Sequence, residues 1–162
     1  MRSLAAVLLA VISLSASCHG KKYTRCALAK ELKCVYGFAQ NSLADWVCLV
    51  QHESSFDTAA FHQNTDSHKS KDYGFESNLV CSSGSIISFS AQINDYYWCN
   101  SGTGTNDCNI NCDKLKDNNI ADDVKCAKKI FGRHGFNAWY GWKNNCKGKP
   151  LSSYTSGCSL TC

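Results

Sequence analysis

Twelve cysteines in a chain of 162 residues constrain the fold more than any other feature of this sequence. Such a density is typical of small exported proteins, in which disulfide bonds supplement a modest hydrophobic core. In a cytosolic protein the cluster Cys99, Cys108, Cys112 and Cys126 would instead suggest a zinc site. The choice between disulfides and zinc therefore depends on whether the chain is exported.

The first twenty residues have the pattern of a secretory signal peptide. Arg2 supplies a positive start, residues 4–14 form a short apolar run, and Cys18-His19-Gly20 offers small residues for cleavage. This run is too short to span a bilayer, and no later apolar stretch is long enough to do so. We therefore predict a signal peptide over residues 1–20 and a secreted mature domain over 21–162, without membrane insertion and with disulfides rather than zinc.

The length and charge of the chain narrow its class further. The mature chain fits one domain, and the formal net charge of +4 comes from scattered lysines. A mildly basic protein suits an anionic partner such as a bacterial wall, but charge this dispersed does not favour binding of nucleic acid. Losing Cys18 with the signal peptide leaves an odd number of cysteines, so one thiol is expected to be free or in an intermolecular bond.

Hydrophobic periodicity predicts helices toward both ends of the chain and a small sheet between them. The predicted helices span 23–36, 42–53, 122–131 and 138–145, and the predicted strands span 71–74 and 92–98. Thr24 is the expected N-cap of the first helix, and Ser42 with Asp45 resembles a capping box at the second. This order predicts an α+β fold with a cleft between a helical lobe and a sheet lobe.

Several motifs in this order resemble the C-type lysozymes, the chicken-type family that also contains α-lactalbumin, and above all the insect branch. They are Thr24-Arg25-Cys26, Asp45-Trp46-Val47-Cys48, His52-Glu53-Ser54-Ser55, Lys71-Asp72-Tyr73-Gly74, the run from Gln92 to Cys99, Cys126-Ala127-Lys128-Lys129-Ile130 and the run from Phe136 to Trp142. The resemblance covers nearly all of the mature chain. It implies a lysozyme-like fold, in which a helical lobe and a small antiparallel β-sheet lobe flank the cleft. It also implies four disulfides: Cys26–Cys158, Cys48–Cys146, Cys99–Cys112 and Cys108–Cys126.

The resemblance also implies an activity. The chain is expected to be a secreted, monomeric glycoside hydrolase that needs no cofactor. Its substrate would be bacterial peptidoglycan, cleaved at the β-1,4 linkages between N-acetylmuramic acid and N-acetylglucosamine in antibacterial defence or digestion. The alternative is a non-catalytic lysozyme-like protein that binds glycan or, like α-lactalbumin, modifies the specificity of another enzyme.

Two carboxylates carry the chemistry that the resemblance implies. Taken alone, Glu53 would be a solvated residue at a helix end and Asp72 a turn residue. By similarity, Glu53 is the general acid and Asp72 the nucleophile or electrostatic stabiliser. Glu53 should be kept protonated by an apolar pocket walled by Trp139, and Asp72 should be kept ionised by polar neighbours, for which Asn94 and Ser70 are candidates.

Further residues are assigned to the substrate and to the core. Tyr97, Trp98 and Trp139 have flat faces that pack on sugar rings. Asn94 and the backbone of Ala138 are expected, by similarity, to bond an N-acetyl group. We predict that the other two tryptophans, Trp46 and Trp142, belong to the core.

A calcium site is a further expectation. The residues Lys114, Asp117, Asn119, Asp122 and Asp123 match the calcium loop of α-lactalbumin and of calcium-binding lysozymes. Three carboxylates and two backbone carbonyls would suit a hard cation that prefers oxygen ligands. Alternatively, Asp122 and Asp123 simply favour the positive N-terminal end of the helix that follows.

The chain departs from the family pattern in three places. Residues 75–91, with Cys81, form an atypical insertion that is either genuine or the result of a retained intron or a gene-model error. Its length costs little, because each doubling of a loop costs only about 0.6 kcal/mol, but it would disturb packing and strand register. No glycine stands near Lys69, where the family pattern has one, and Cys34, Cys81 and Cys162 have no partner in the family framework.

Overall fold

The computed structural model describes residues 22–56, 61–65, 69–73, 93–102 and 104–162. Its elements are the helices α1 (Arg25–Cys34), α2 (Leu43–Ser54), α3 (Ala121–His134) and α4 (Tyr140–Asn145) and the strands β1 (Phe61–Gln63), β2 (Lys71–Tyr73) and β3 (Ile93–Asn94). Short 3₁₀ helices span Cys112–Lys116, Gly135–Ala138 and Ser152–Tyr154. The predicted α+β fold is confirmed. The predicted signal peptide (1–20) and the insertion (75–91) lie outside the described residues.

The four helices lie where the periodicity placed them, with shifted ends. Thr24 is the N-cap of α1, since its side chain accepts a hydrogen bond from the Ala27 amide at 3.2 Å. α1 itself is shorter than the predicted 23–36, and α3 continues past the predicted 131 to His134, where Gly135 with φ +61° ends it. The predicted helix 138–145 begins only at Tyr140, because the residues before it form a 3₁₀ helix. None of these helices is long and apolar enough to cross a membrane.

The capping box predicted at the start of α2 is wrong. Ser42 makes no side-chain cap bond, and its hydroxyl donates instead to the carbonyl of Ala39 at 3.3 Å. Asp45 accepts a hydrogen bond from the indole Nε1 of Trp142 at 2.9 Å. Asp45 therefore bonds Trp142, which is distant in the sequence, instead of completing a capping box with Ser42.

The core surrounds α2. Trp46 is 2 % exposed, and its ring lies 4.9 Å from Phe38, 5.1 Å from Phe131 and 4.9 Å from Phe136, measured between ring centroids. The contacts with Phe38 and Phe136 are edge-on and the contact with Phe131 is tilted, and together with the burial they confirm Trp46 as a core residue. Trp142, also predicted to be in the core, is only half-buried, stacking on Phe136 while its N–H reaches Asp45.

The sheet is antiparallel with the order β1-β2-β3. His62 pairs with Asp72 and Asp72 with Asn94, so the middle strand carries Asp72 between two neighbours. β1 was not predicted, and β3 is much shorter than the predicted 92–98. The chain turns after Asn94, whose side chain accepts from the Tyr96 amide at 3.0 Å and whose carbonyl accepts from the Trp98 amide at 3.0 Å. These turn bonds override the strand propensity of the aromatic run.

Five disulfides join the described residues. Four are the pairs that the resemblance implied: Cys26–Cys158, Cys48–Cys146, Cys99–Cys112 and Cys108–Cys126. The fifth joins Cys34, the last residue of α1, to Cys162 at the end of the chain. The zinc alternative fails, because all four cysteines of that cluster are bonded to one another. Cys81 lies outside the described residues.

Candidate active site

A cavity of about 360 Å³ lies between the helices and the sheet. Its walls contain all of the predicted catalytic and substrate-binding residues: Glu53, Asp72, Asn94, Tyr97, Trp98, Ala138 and Trp139. Three further residues line it that the sequence did not indicate: Asn64, Ile130 and Tyr140. The fold therefore brings the two carboxylates into one cleft with aromatic and amide side chains.

Glu53 lies in the last turn of α2 and is 5 % exposed. Burial raises the pKa of its carboxyl from 4.5 to about 7, and the negative charge of Asp72 contributes in the same direction. The amide of Gly141 opposes this rise in pKa, because it donates to Oε1 at 2.5 Å. The protonated acid is therefore well populated near neutral pH, as a proton donor requires.

Gly141 approaches Glu53 closely because it has no side chain. A Cβ at this position would lie 2.5 Å from Glu53 Oε1 and 3.0 Å from the carbonyl of His52. Both distances are shorter than ordinary van der Waals contact. The first turn of α4 can thus place a backbone N–H against the buried acid.

Asp72 has a polar environment. Its Oδ1 accepts from Asn94 Nδ2 at 2.8 Å, and its Oδ2 accepts from Asn64 Nδ2 at 2.7 Å. Amide donors on both oxygens stabilise the negatively charged carboxylate. Asn94 lies where the sequence placed it, and Ser70 takes part through Asn64, whose Nδ2 lies 3.2 Å from Ser70 Oγ.

Asn64 was missed because β1 was missed. It follows β1 in the hairpin that leads to β2, and its amide donates to the Ser70 carbonyl at 2.8 Å. The sequence shows only a polar segment between Glu53 and Asp72. The contact of Asn64 with Asp72 depends on the pairing of β1 with β2. Lys69, where the absence of a glycine was noted, has φ +48°, so this turn holds a side chain in the left-handed region at a cost of about 1 kcal/mol.

The aromatic residues of the cleft differ in exposure. Tyr97 is 53 % exposed, and Trp98 is half-buried with the Arg133 guanidinium 5.4 Å from its ring centroid. Trp139 is 3 % exposed, and its ring lies 5.7 Å from that of Trp46. Trp139 is therefore a cleft wall anchored in the core, whereas Tyr97 offers an accessible face.

The predicted calcium loop lies apart from the cleft. Lys114 is in a 3₁₀ helix, Asp117 follows that helix, and Asp122 and Asp123 are in the first turn of α3. Asp117 accepts from the Asn119 amide at 2.7 Å. Burial raises the pKa of Asp123, which is 1 % exposed, and the charges of Asp117 and Asp122 raise it further. Oδ2 of Asp123 is buried and has no hydrogen-bond partner among the residues that the structure describes.

Comparisons with known proteins agree with this geometry. The model of the C-type lysozyme/alpha-lactalbumin family matches residues 21–158. Lysozyme c-1 of Anopheles gambiae is 47 % identical over 96 % of this chain and 99 % of its own length, and the lysozyme of Bombyx mori is 43 % identical over 88 % and 91 %. The structure of canine milk lysozyme superposes with a TM-score of 0.70 at 39 % identity, covering 86 % of this chain and all of the canine chain. The calcium-binding lysozyme from equine milk gives the same TM-score, identity and coverage.

The likeness to the family covers residues 21–158, the two solved structures cover 86 % of the chain, and the curated relatives are named as lysozymes. The resemblance seen in the sequence and the closeness to the insect branch are both confirmed. The chain belongs to the C-type lysozyme/alpha-lactalbumin family and is a glycoside hydrolase of the lysozyme type.

Proposed function

We propose that this enzyme hydrolyses the β-1,4 linkages between N-acetylmuramic acid and N-acetylglucosamine in bacterial peptidoglycan. The observation that carries the proposal is the unequal pair of carboxylates in one cleft. Glu53 is buried with a pKa raised to about 7, whereas Asp72 is held by two amide donors. Glycoside hydrolysis needs one protonated and one ionised carboxyl group on either side of the scissile bond.

In the proposed mechanism the two carboxyl groups act together in the first step, and Glu53 acts again in the second. Glu53 donates its proton to the leaving glycosidic oxygen while Asp72 stabilises or attacks the cationic anomeric carbon. Glu53, now ionised, removes a proton from the incoming water, and the anomeric configuration is retained. Asn64 and Asn94 keep Asp72 oriented throughout.

Other cleft residues would bind the glycan. Tyr97 and Trp98 pack on sugar faces, and Asn94 with the Ala138 backbone bonds an N-acetyl group. Trp139, which is buried, forms the apolar wall beside Glu53. The placement of these residues around one cavity supports these roles.

The proposed setting is extracellular. The signal pattern at residues 1–20, the five disulfides and the mild positive charge support a secreted monomer that acts on the anionic bacterial wall, in defence or digestion.

The products of purified peptidoglycan test the bond specificity. We expect fragments that carry N-acetylmuramic acid at the reducing end, each heavier by one water than the intact repeat. Borohydride reduction followed by mass spectrometry identifies this end. Reducing-end N-acetylglucosamine would contradict the proposed bond, and a digest without soluble fragments would contradict the proposed substrate. A heat-inactivated sample is the control.

We further propose that the loop formed by Lys114, Asp117, Asn119, Asp122 and Asp123 binds a structural calcium ion. The unpartnered buried oxygen of Asp123 supports this, because a cation would satisfy it. The alternative explanation, that the dipole of α3 favours these carboxylates, does not provide Oδ2 of Asp123 with a hydrogen-bond partner among the described residues.

Calcium should therefore stabilise the chelator-treated protein. At about 100 times the Kd, the gain is about 2.7 kcal/mol, which corresponds to a rise in Tm of about 5–10 °C. Scanning calorimetry measures the shift, and magnesium at the same concentration is the ionic-strength control. Asp123→Asn should abolish the response. An unchanged Tm together with no heat of binding in a calcium titration would refute the site.

A further inference from the structure

Tyr140 is the most exposed of the large hydrophobic residues of the cleft. Among the described residues three such side chains are strongly exposed: Val35 (69 %), Tyr97 (53 %) and Tyr140 (74 %). Two of the three line the cavity that holds Glu53 and Asp72, and only Val35 is absent from its walls. Exposed aromatic surface inside a cleft does not contribute to the core, so it is available to a ligand.

The backbone of Tyr140 is held on both sides. The preceding residue, Trp139, is buried against Trp46, and the following residue, Gly141, donates its N–H to Glu53 at 2.5 Å. The ring of Tyr140 is therefore carried by a fixed segment one residue away from the contact with the proposed acid.

One face of the Tyr140 ring already has a partner. The Lys143 ammonium lies 3.6 Å from the ring centroid, a cation–π contact within one turn of α4. Because the side chain is still 74 % exposed, the rest of the ring is open to solvent. An open aromatic face next to a carboxyl proton donor suits the C–H face of a pyranose ring.

We propose that Tyr140 is a specificity-determining residue that binds the sugar on the leaving-group side of the scissile bond. The proposal rests on the proposed function, in which Glu53 protonates the leaving oxygen. The leaving sugar must then lie beside Glu53, and Tyr140 belongs to the segment that contacts this acid. Tyr97 and Trp98 follow Asn94, on the side of the cleft that holds Asp72, and so belong to the other sugars.

The first experiment measures binding without requiring activity. The Glu53→Gln protein and the Glu53→Gln/Tyr140→Ala protein are titrated calorimetrically with a β-1,4-linked hexamer of N-acetylglucosamine. We expect Tyr140→Ala to raise the Kd about threefold to tenfold and Tyr140→Trp to leave it near that of the parent. The matched control is Val35→Ala, an exposed apolar residue outside the cleft, which should change nothing. An unchanged Kd in Tyr140→Ala would overturn the proposal.

The second experiment assigns the side of the bond. In a retaining enzyme the glycosyl intermediate reacts either with water, which is hydrolysis, or with an added acceptor sugar, which is transfer. The acceptor sugar binds on the leaving-group side of the cleft. Tyr140→Ala should lower the ratio of transfer to hydrolysis about threefold to tenfold, with an unchanged pH profile of kcat and an unchanged Tm. Weaker hexamer binding with an unchanged transfer ratio would overturn the assignment to this side. Failure of the proposed function would look different, because the wild-type protein itself would then cleave neither the hexamer nor peptidoglycan.

Discussion

Replacing Glu53 by glutamine will lower the rate of peptidoglycan hydrolysis by about 10³-fold, because the amide keeps the shape of the side chain but cannot donate the required proton. Turbidity clearing of bacterial walls measures the loss. In the wild-type enzyme, activity should fall as the pH rises through about 7, where Glu53 ionises. Residual activity of Glu53→Gln within tenfold of the wild type would contradict the assignment.

The same substitution should change stability in the opposite direction. The folded-state pKa of Glu53 lies above its ordinary value, so its contribution to stability is complete below pH 4.5 and is lost as the pH rises through about 7. At pH 8 the glutamine variant should be more stable than the wild type by up to about 3 kcal/mol, and at pH 4 the two should be similar. Urea unfolding at the two pH values measures this. His52→Gln, at the neighbouring exposed position, is the control and should keep both the activity and its alkaline decline.

Replacing Cys34 and Cys162 with serine, which removes their disulfide, should lower the free energy of unfolding by about 3 kcal/mol. A loop of this length closed by a single disulfide would be expected to contribute about 5 kcal/mol. The bond spans 128 positions, but Cys26–Cys158 already closes nearly the same loop. Cys26 and Cys34 are eight positions apart, and Cys158 and Cys162 are four apart. With one bond present, the other therefore closes a ring of only about a dozen residues, for which the chain-entropy model gives about 3 kcal/mol.

This nesting makes the two bonds non-additive. Loss of Cys26–Cys158 alone should also cost about 3 kcal/mol, and loss of both about 8 kcal/mol, because the long loop then opens as well. Denaturant unfolding of the two double variants and the quadruple variant completes the cycle. Equal costs that add within about 0.5 kcal/mol would show that the bonds act independently and would refute the nested-loop account.

The cysteine positions and the main helices could be predicted from the sequence because short local motifs and periodicity determine them. The positions of the eight framework cysteines, the helix that ends near Glu53 and the strand that carries Asp72 follow from the cysteine count, helical periodicity and motif order. The resemblance then supplied the pairing that the spacing alone left open.

What the sequence did not provide are contacts that depend on packing between distant segments. Asn64 reaches Asp72 only because an unpredicted three-residue strand pairs with β2. Cys34 and Cys162 meet because the end of the chain returns to α1, where Lys33 also binds the carbonyl of Leu160 at 2.8 Å. Ser42 and Asp45 formed a convincing local motif, but the indole N–H of Trp142 decided the partner of Asp45.

The contact between Gly141 and Glu53 has a consequence for how the acid is tuned. The opposing hydrogen bond comes from the main chain, so only proline, which lacks the N–H, or an ester in place of that peptide bond would remove the donor. The proton affinity of Glu53 therefore depends on the integrity of the first turn of α4. Fraying of that turn would remove the amide hydrogen bond and raise the pKa of Glu53 further. The alkaline limit of activity would then move to higher pH, so the order of this turn sets the pH range of the enzyme.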